Sequence, residues 1–199
     1  MSTTYTDLVN NIKAFSGRTD PQTINAIPTF IAAAQTKLDS TLRIPAMMVT
    51  QSIEAAGLSL PMTLLELESV VIGEIEGELF PYADVLAKRK VPTRLPYSTI
   101  YAVNGGNIEL AAPADLIITG YQKPQRLSDS VATNAYTAQA ENALLWYGLS
   151  YLGVFARDSK AAQGWGEMAS EEVDNLNLAA ERFMSATGIS TGGQNARYF

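Results

Sequence analysis

Apolar positions follow three textures along the chain. They recur every three or four residues at the start, alternate in the middle, and recur every three or four again towards the end. Leu8, Val9, Ile12 and Phe15 fall near one helical face, which predicts a short amphipathic helix over residues 6–15, ended by Gly17. Asp20 is a good N-cap, with Pro21 at the first helical position. Proline is tolerated only in a first turn, so Pro28 restarts the pattern. A helix over residues 28–42 then puts Ile31, Ala34, Leu38 and Leu42 on one stripe, and Pro45 stops it.

The middle reads as strands. "MMVTQSIEAAG" alternates, and "LSLP" is a short strand or turn. "LLELESVVIGEIEGELF" alternates apolar and acidic residues through Leu65, Leu67, Val70 and Ile72, the period of two expected of strands. "PYADVLAKRK" reads as a helical turn. "STIYAVNGGNIELAAP" is the clearest hairpin, with Asn104, Gly105, Gly106 and Asn107 between two alternating runs. "LIITGYQKP" is one more strand.

Helix returns after about Asn134. "AENALLWYGLSYLGVFARD" is apolar on nearly every side, so the helix it forms must be buried all round. Two readings stay open: a central helix packed by the others and the sheet, or a helix partly covered by a neighbouring subunit. Asp158 can cap a last helix reaching about Met184. Ala169, Val173, Leu176, Ala180 and Phe183 form its apolar stripe, and Glu167, Glu171, Asp174 and Glu181 line the other side. The expected fold class is α+β. N- and C-terminal helices, residues 4–44 and 134–186, form a helical bundle core; an antiparallel β unit, residues 46–125, is inserted; an extended tail, residues 187–199, follows.

Composition narrows the function. The chain has 199 residues, 47% of them hydrophobic, enough for a sizeable core. Only 17% are charged, against a typical quarter. That fits either a domain rich in small polar residues or a surface partly covered by partners. Net charge is −6, and the basic residues are scattered apart from Lys88, Arg89 and Lys90. A tight binder of duplex DNA needs clustered cations, and they are missing. "AKRKVPTR" is then a solvated loop, or a contact with an acidic neighbour or a nucleic acid. No signal peptide is expected from the opening residues, and the longest apolar run is too short and interrupted to span a bilayer.

Chemistry is sparse. There is no cysteine and no histidine, which removes thiolate sites, disulfides and the usual general base. Glu66 and Glu68, and Glu74, Glu76 and Glu78, are spaced by two. On a strand that puts each set on one face, roughly 7 Å apart. Such a row suits a divalent cation, or simply the wet or partner-facing side of a strand. No Gly-rich phosphate loop and no Gly-x-Ser-x-Gly elbow occur. Gly164 and Gly166 flank Trp165, either for a close approach to another element or as a loose first turn. The expectation is a non-enzyme with no catalytic, cofactor-binding or metal residue, a part that binds other parts. "STGGQNARYF" at residues 190–199 fits that. A flexible lead carries Arg197, Tyr198 and Phe199, as a frayed end or as a plug that needs a socket.

The order of these segments resembles a known family. "YTDLVNNIKAFSGRTD" and "IPTFIAAAQTKLDSTLRI" are similar to the start of the head-to-tail adaptor (connector) proteins of tailed bacteriophages: Tyr5 and Leu8, Arg18 and Asp20, Ile27 to Ile31, then Leu42 and Arg43. "LSLPMTLLELESV" looks like a Leu-Pro-x-x-Leu-Glu strand of that family, with Met62-Thr63 where Ser-Asp is common. "GGNIELAAP" resembles its hairpin. "ALLWYGLSYLGVFARDSKAAQGWGEMASEEVDNLN" resembles its C-terminal helical pair, with Arg157 and Asp158 at the joint. The resemblance covers about residues 4–185 and leaves out the glycine-rich tail. It implies a structural virion protein at the head–tail junction, assembled in the host cytoplasm. Its copies would form a ring, usually of twelve, docked under the portal protein. The ring would join the portal to the tail or nozzle protein and continue the channel for genomic DNA without gripping it. A tail-completion or nozzle component without direct portal contact is the alternative. On this reading Leu145, Trp146, Leu149, Tyr151, Leu152 and Phe155 are candidates for the subunit interface, and Arg197, Tyr198 and Phe199 for a portal contact. No cofactor and no membrane is implied.

Overall fold

Thr4 and Asp7 set the first helix. The Thr4 hydroxyl accepts from the Asp7 N–H at 3.2 Å, and the Asp7 carboxylate accepts from the Thr4 N–H at 3.0 Å. This reciprocal cap starts α1 at Tyr5–Ser16, and Gly17, in the left-handed region at φ 61, closes it. The structure, a computed structural model, describes residues 3–90 and 99–186. After α1 come α2 (Pro21–Thr41), β1 (Met48–Ala56), β2 (Ser59–Pro61), β3 (Leu64–Ile72), β4 (Ile75–Glu76) and β5 (Glu78–Leu79). Then follow α3 (Tyr82–Arg89), β6 (Ile100–Asn104), β7 (Asn107–Leu110), β8 (Ala114–Gln122), α4 (Ala135–Gln139), α5 (Glu141–Phe155) and α6 (Ser159–Ala186). The described chain divides into two units, residues 3–47 with 124–186, and residues 48–90 with 99–123.

The expected fold class needs correction. Helices are not confined to a terminal bundle around one antiparallel insert: they are spread along the chain, with sheet in the middle and α3 inside the β region. The β residues form two four-stranded sheets, ordered β1-β8-β3-β4 and β2-β7-β6-β5. One pair, β5 with β6, is parallel. The reason is topological. Between Leu79 and Ile100 the chain runs through α3, and parallel neighbours need such a crossover. Eight residues are too few for a helical period to declare itself, so "PYADVLAKRK" reads as no more than a helical turn.

In the β unit, Leu64, Val70, Ile72, Leu116 and Ile118 of one sheet share a core with Tyr101, Ile108 and Leu110 of the other. Strand β3 departs from strict alternation. Its register to β8 shifts between Leu64 and Glu66 and again between Leu67 and Ser69. The shifts leave Leu65 and Leu67 half-buried while Leu64, Val70 and Ile72 are buried. Gly120 lies opposite, where a Cβ would meet the Glu66 carbonyl at 2.3 Å, so no larger residue fits. The hairpin forms where expected: Asn104 pairs with Asn107, and Gly105 and Gly106 both have positive φ, 57 and 80.

Arg89 ties α3 to this unit. Its Nε donates to the Leu110 carbonyl at 2.7 Å, and Nη2 donates to the Leu58 carbonyl at 2.6 Å and to Glu109 at 2.7 Å. The Ser59 hydroxyl donates to the other Glu109 oxygen at 2.7 Å. The Ser59 hydrogen bond, then Arg89, hold the buried Glu109 carboxyl below the ordinary carboxylate range. A lowered folded value stabilises above the unfolded value, about 4.3, and that gain is lost as pH falls through the folded one.

In the helical unit, α2 runs unbroken from Pro21, with Asp20 accepting from the Thr23 N–H at 2.8 Å. The expected restart at Pro28 does not occur; Pro28 sits inside the helix. An interior proline costs roughly 3 kcal/mol. Ile27, Phe30, Ile31, Ala34 and Leu38 are all buried on one stripe that continues across it. Each large apolar side chain contributes roughly 1.5–3 kcal/mol on burial, so the stripe outweighs the break.

Two outcomes follow. Pro28→Ala should restore the hydrogen bond to Ile24 and raise Tm by about 3–6 °C in a thermal melt, after allowing for the lost rigidity of the unfolded chain. Glu109→Gln should lower the urea midpoint at pH 7, and the gap to wild type should shrink below about pH 4. A pH-independent gap would show that the charge of Glu109 plays no part.

Candidate interaction surface

The helical unit is arranged around α5. It packs against α1, α2 and α6. Gly153 lets α6 come close: a Cβ there would meet the Ala162 backbone at 2.8 Å, and the Ser150 hydroxyl donates to the Ala162 carbonyl at 2.8 Å. Beyond Phe155, α5 ends in a Schellman turn. The Asp158 N–H reaches back to the Gly153 carbonyl at 2.9 Å, and Arg157 adopts φ 58. Glycine normally fills that position, and the left-handed region costs any other residue on the order of 1 kcal/mol. Asp158 then caps α6, accepting from the Ala161 N–H at 3.0 Å.

A surface aromatic cluster lies where α1, α5 and α6 meet. The indoles of Trp146 and Trp165 stack with centroids 5.2 Å apart and planes 8° apart. Phe15 meets both edge-on, at 5.6 Å and 6.4 Å. A groove of about 170 Å³ runs beside it, lined by Phe15, Arg18, Leu149, Leu152, Ala161 and Trp165 among others. Phe15 remains 54% exposed although periodicity puts it on the helix's apolar face. Along α6 the buried stripe is Ala162, Ala169, Val173, Ala180 and Met184. Phe183, expected in that stripe, is exposed, and Met184 takes its place. A second row runs beside it: Trp165, Met168, Glu172 and Leu176, spaced three, four and four, half-buried or exposed.

The expected interface residues divide. Leu145, Leu149 and Leu152 are buried within the chain; Trp146 and Tyr151 are half-buried; Phe155 is exposed, its ring 5.4 Å from Phe30 of α2. Val154 beside it is 65% exposed. Trp146 and Phe155 are nine residues apart, two and a half turns, and therefore point to opposite faces of α5. Arg197, Tyr198 and Phe199 lie outside the described residues. Phe15, Trp165 and Met168 belong to the surface but not to the expected set. The signal that could have found Trp165 and Met168 is the second row on α6, which begins at one of the chain's two tryptophans.

No metal site takes shape from the glutamates. Among the described residues no group of three or more carboxylates lies together. Gly73, at φ 65, turns the chain between β3 and β4 and breaks the row. Buried polarity is concentrated elsewhere, on Asp39 of α2. The Tyr136 hydroxyl donates to one carboxylate oxygen at 2.7 Å, and Arg126 Nη2 donates to the other at 3.0 Å. Arg126 also reaches the Thr36 hydroxyl at 3.0 Å, and Gln35 accepts from the Leu127 N–H at 3.2 Å. The Asp39 carboxylate and its donors answer one another, which suits structure, while Nε2 of the buried Gln35 has no hydrogen-bond partner among the described residues.

A family model described as SU10 adaptor protein matches residues 3–191 of the 199. The chain belongs to that family of phage head–tail adaptors. No curated protein matches the sequence. The adaptor is thus a structural component of a phage virion, a part that meets other virion proteins. Among its described residues no helix is long and apolar enough to cross a membrane.

The Asp39 network makes a pH prediction. Burial, and then the hydrogen bond to Asp39, push the Tyr136 phenol far above its ordinary value of about 10. A raised folded value stabilises fully below the unfolded value and is lost as pH rises through the folded one. Wild-type stability should therefore decline from about pH 10 upwards. Tyr136→Phe should lose about 1–2 kcal/mol at pH 7 and show a shallower alkaline decline in urea titrations. Equal alkaline slopes would rule out Tyr136 as the titrating group.

Proposed function

We propose that this adaptor forms a ring that docks on the portal and joins it to the tail or nozzle, continuing the DNA channel at the head–tail junction. The observation that carries the reading is the family match along nearly the whole chain. Two features support it. Phe15, Val154, Phe155 and Met168 leave apolar surface exposed on the helical unit, as a component built to be covered would. The net charge of −6 without a strong basic cluster suits a channel wall, since carboxylates repel phosphates and let DNA slide. Cyclic assembly uses one heterologous contact repeated around an axis. Of the six residues expected at that contact, Trp146, Tyr151 and Phe155 retain surface to offer, while Leu145, Leu149 and Leu152 act as the core beneath them. Arg197, Tyr198 and Phe199 are proposed as a portal contact, two aromatic anchors and a cation at the end of a glycine-containing lead.

Electron microscopy of the adaptor co-expressed with its phage's portal protein tests this. Rings stacked beneath the portal are expected. Free adaptor beside bare portals would sink direct docking and favour a tail-completion or nozzle role. Deleting residues 188–199 should abolish stacking while leaving the thermal melt unchanged. Stacking as good as wild type would remove the tail from the contact.

A further inference from the structure

The two sheets end in four outer strands, and three of them are guarded. Strands β4 and β5 have two residues each, and β2 has three and ends in Pro61. Short strands and proline are common ways to keep a sheet edge from pairing further. The fourth outer strand, β1, has nine residues. Its run from Met48 to Ile53 pairs with β8 without a break, and the register shifts only beyond Ile53. That run carries no charge, no proline and no glycine. Among the described residues no strand pairs with its outer side, and every residue from Met48 to Glu54 keeps some exposure. Such an edge presents a row of backbone N–H and C=O groups, and what completes the row is another strand.

The side chains say which strand. Residues 49–53 read the same in kind from either end: β-branched Val49, hydroxyl Thr50, amide Gln51, hydroxyl Ser52, β-branched Ile53. Val49 and Ile53 pack against the core of the β unit. Thr50 and Ser52 face the other way, where the Thr50 and Thr119 hydroxyls share a hydrogen bond at 3.1 Å. We propose that the outer edge of β1 pairs antiparallel with the same edge of a second copy, centred on Gln51, in a two-fold dimer of the free adaptor. Val49 then lies opposite the partner's Ile53, and Thr50 opposite the partner's Ser52. The period of two keeps each pair on one face, so the apolar layer runs on from one sheet into the next. Glu54, the nearest charge, meets the partner's Met48 and not another carboxylate. Length also selects the occupant. The other outer strands are too short to receive β1, and β3 shifts register on both sides of Glu66 and Leu67.

The inference goes beyond the ring reading. A two-fold contact uses one patch twice and closes on itself, whereas neighbours in a ring meet through two different patches. The pairs are therefore a state of the free chain, and they part as a ring forms.

The chain has no cysteine, so an introduced thiol reports this contact alone. Residues directly opposite in an antiparallel pair lie roughly 4.5–5.5 Å apart at Cα, within disulfide range. Gln51→Cys should therefore give a disulfide-linked dimer under oxidation, and nothing larger. Diagonal neighbours lie roughly 7–8 Å apart. Thr50→Cys and Ser52→Cys should thus each give little dimer alone, and an equimolar mixture several-fold more. Gln51→Lys sets like charges opposite each other and should turn the dimer to monomer in light scattering, with circular dichroism unchanged. No dimer from Gln51→Cys, as much from Thr50→Cys alone as from the mixture, or a Gln51→Lys chain as dimeric as wild type overturns the pairing. The oxidised Gln51→Cys dimer should not stack beneath the portal, and reductant should restore stacking. Stacked rings of the oxidised dimer would overturn the claim that pairs part. A reduced chain that never stacks, with the cross-link intact, would sink portal docking and leave the pairing standing.

Discussion

Asp39 sits on the buried face of α2, where an ionised carboxylate must be paired. Its partners, Tyr136 and Arg126, both come from the segment that follows the β unit. That segment is further tied down by Leu127 on Gln35, by Asn134 Nδ2 donating to the Gln125 carbonyl, and by the Tyr5 N–H donating to the Ala132 carbonyl. An irregular stretch is thereby fastened to α1 and α2 by polar contacts. Only then does α5 enter between α1 and α2. Losing the Tyr136 hydrogen bond costs about 1–2 kcal/mol, and Arg126 is partly exposed, so this network acts through position: it fixes how the second half of the helical unit begins.

Much of the architecture was legible. The period of two located β1, β3 and β8, and the Asn-Gly turn placed the β6–β7 hairpin, because local chemistry decides those features. Pro28 misled because local propensity there opposes a long buried stripe, and the stripe is stronger. The split into two sheets and the parallel β5–β6 pair were not legible. Strands of two residues carry no periodicity, and α3 is held by Arg89 contacts to residues distant in sequence. The exchange of Phe183 for Met184 is a rotation of about 100° on α6, below what spacing by three and four can resolve.

The surface was harder to read than the core. An all-round apolar α5 left open a central helix or one partly covered by a neighbour, and Leu145, Leu149 and Leu152 are buried within the chain's own helical unit. What distinguishes the exposed aromatics is their position in grooves between helices. That depends on the close approach at Gly153 and Ala162, and on Phe15 lying across both indoles. The family, in contrast, was visible in the order of short segments, none of them decisive alone.

The helical unit is discontinuous: residues 3–47 wait for residues 124–186. Translation at about 5–20 residues per second puts on the order of ten seconds between the emergence of α2 and that of α5. During that interval Ile27, Phe30, Ile31 and Leu38 have no α5 to cover them. The strands can pair within that time, since hairpins close in microseconds. Vectorial synthesis therefore imposes an order in which the inserted β unit matures first. The first two helices meanwhile are the natural clients of a chaperone, because their capped, preformed stripe is sticky until the second half of the chain arrives.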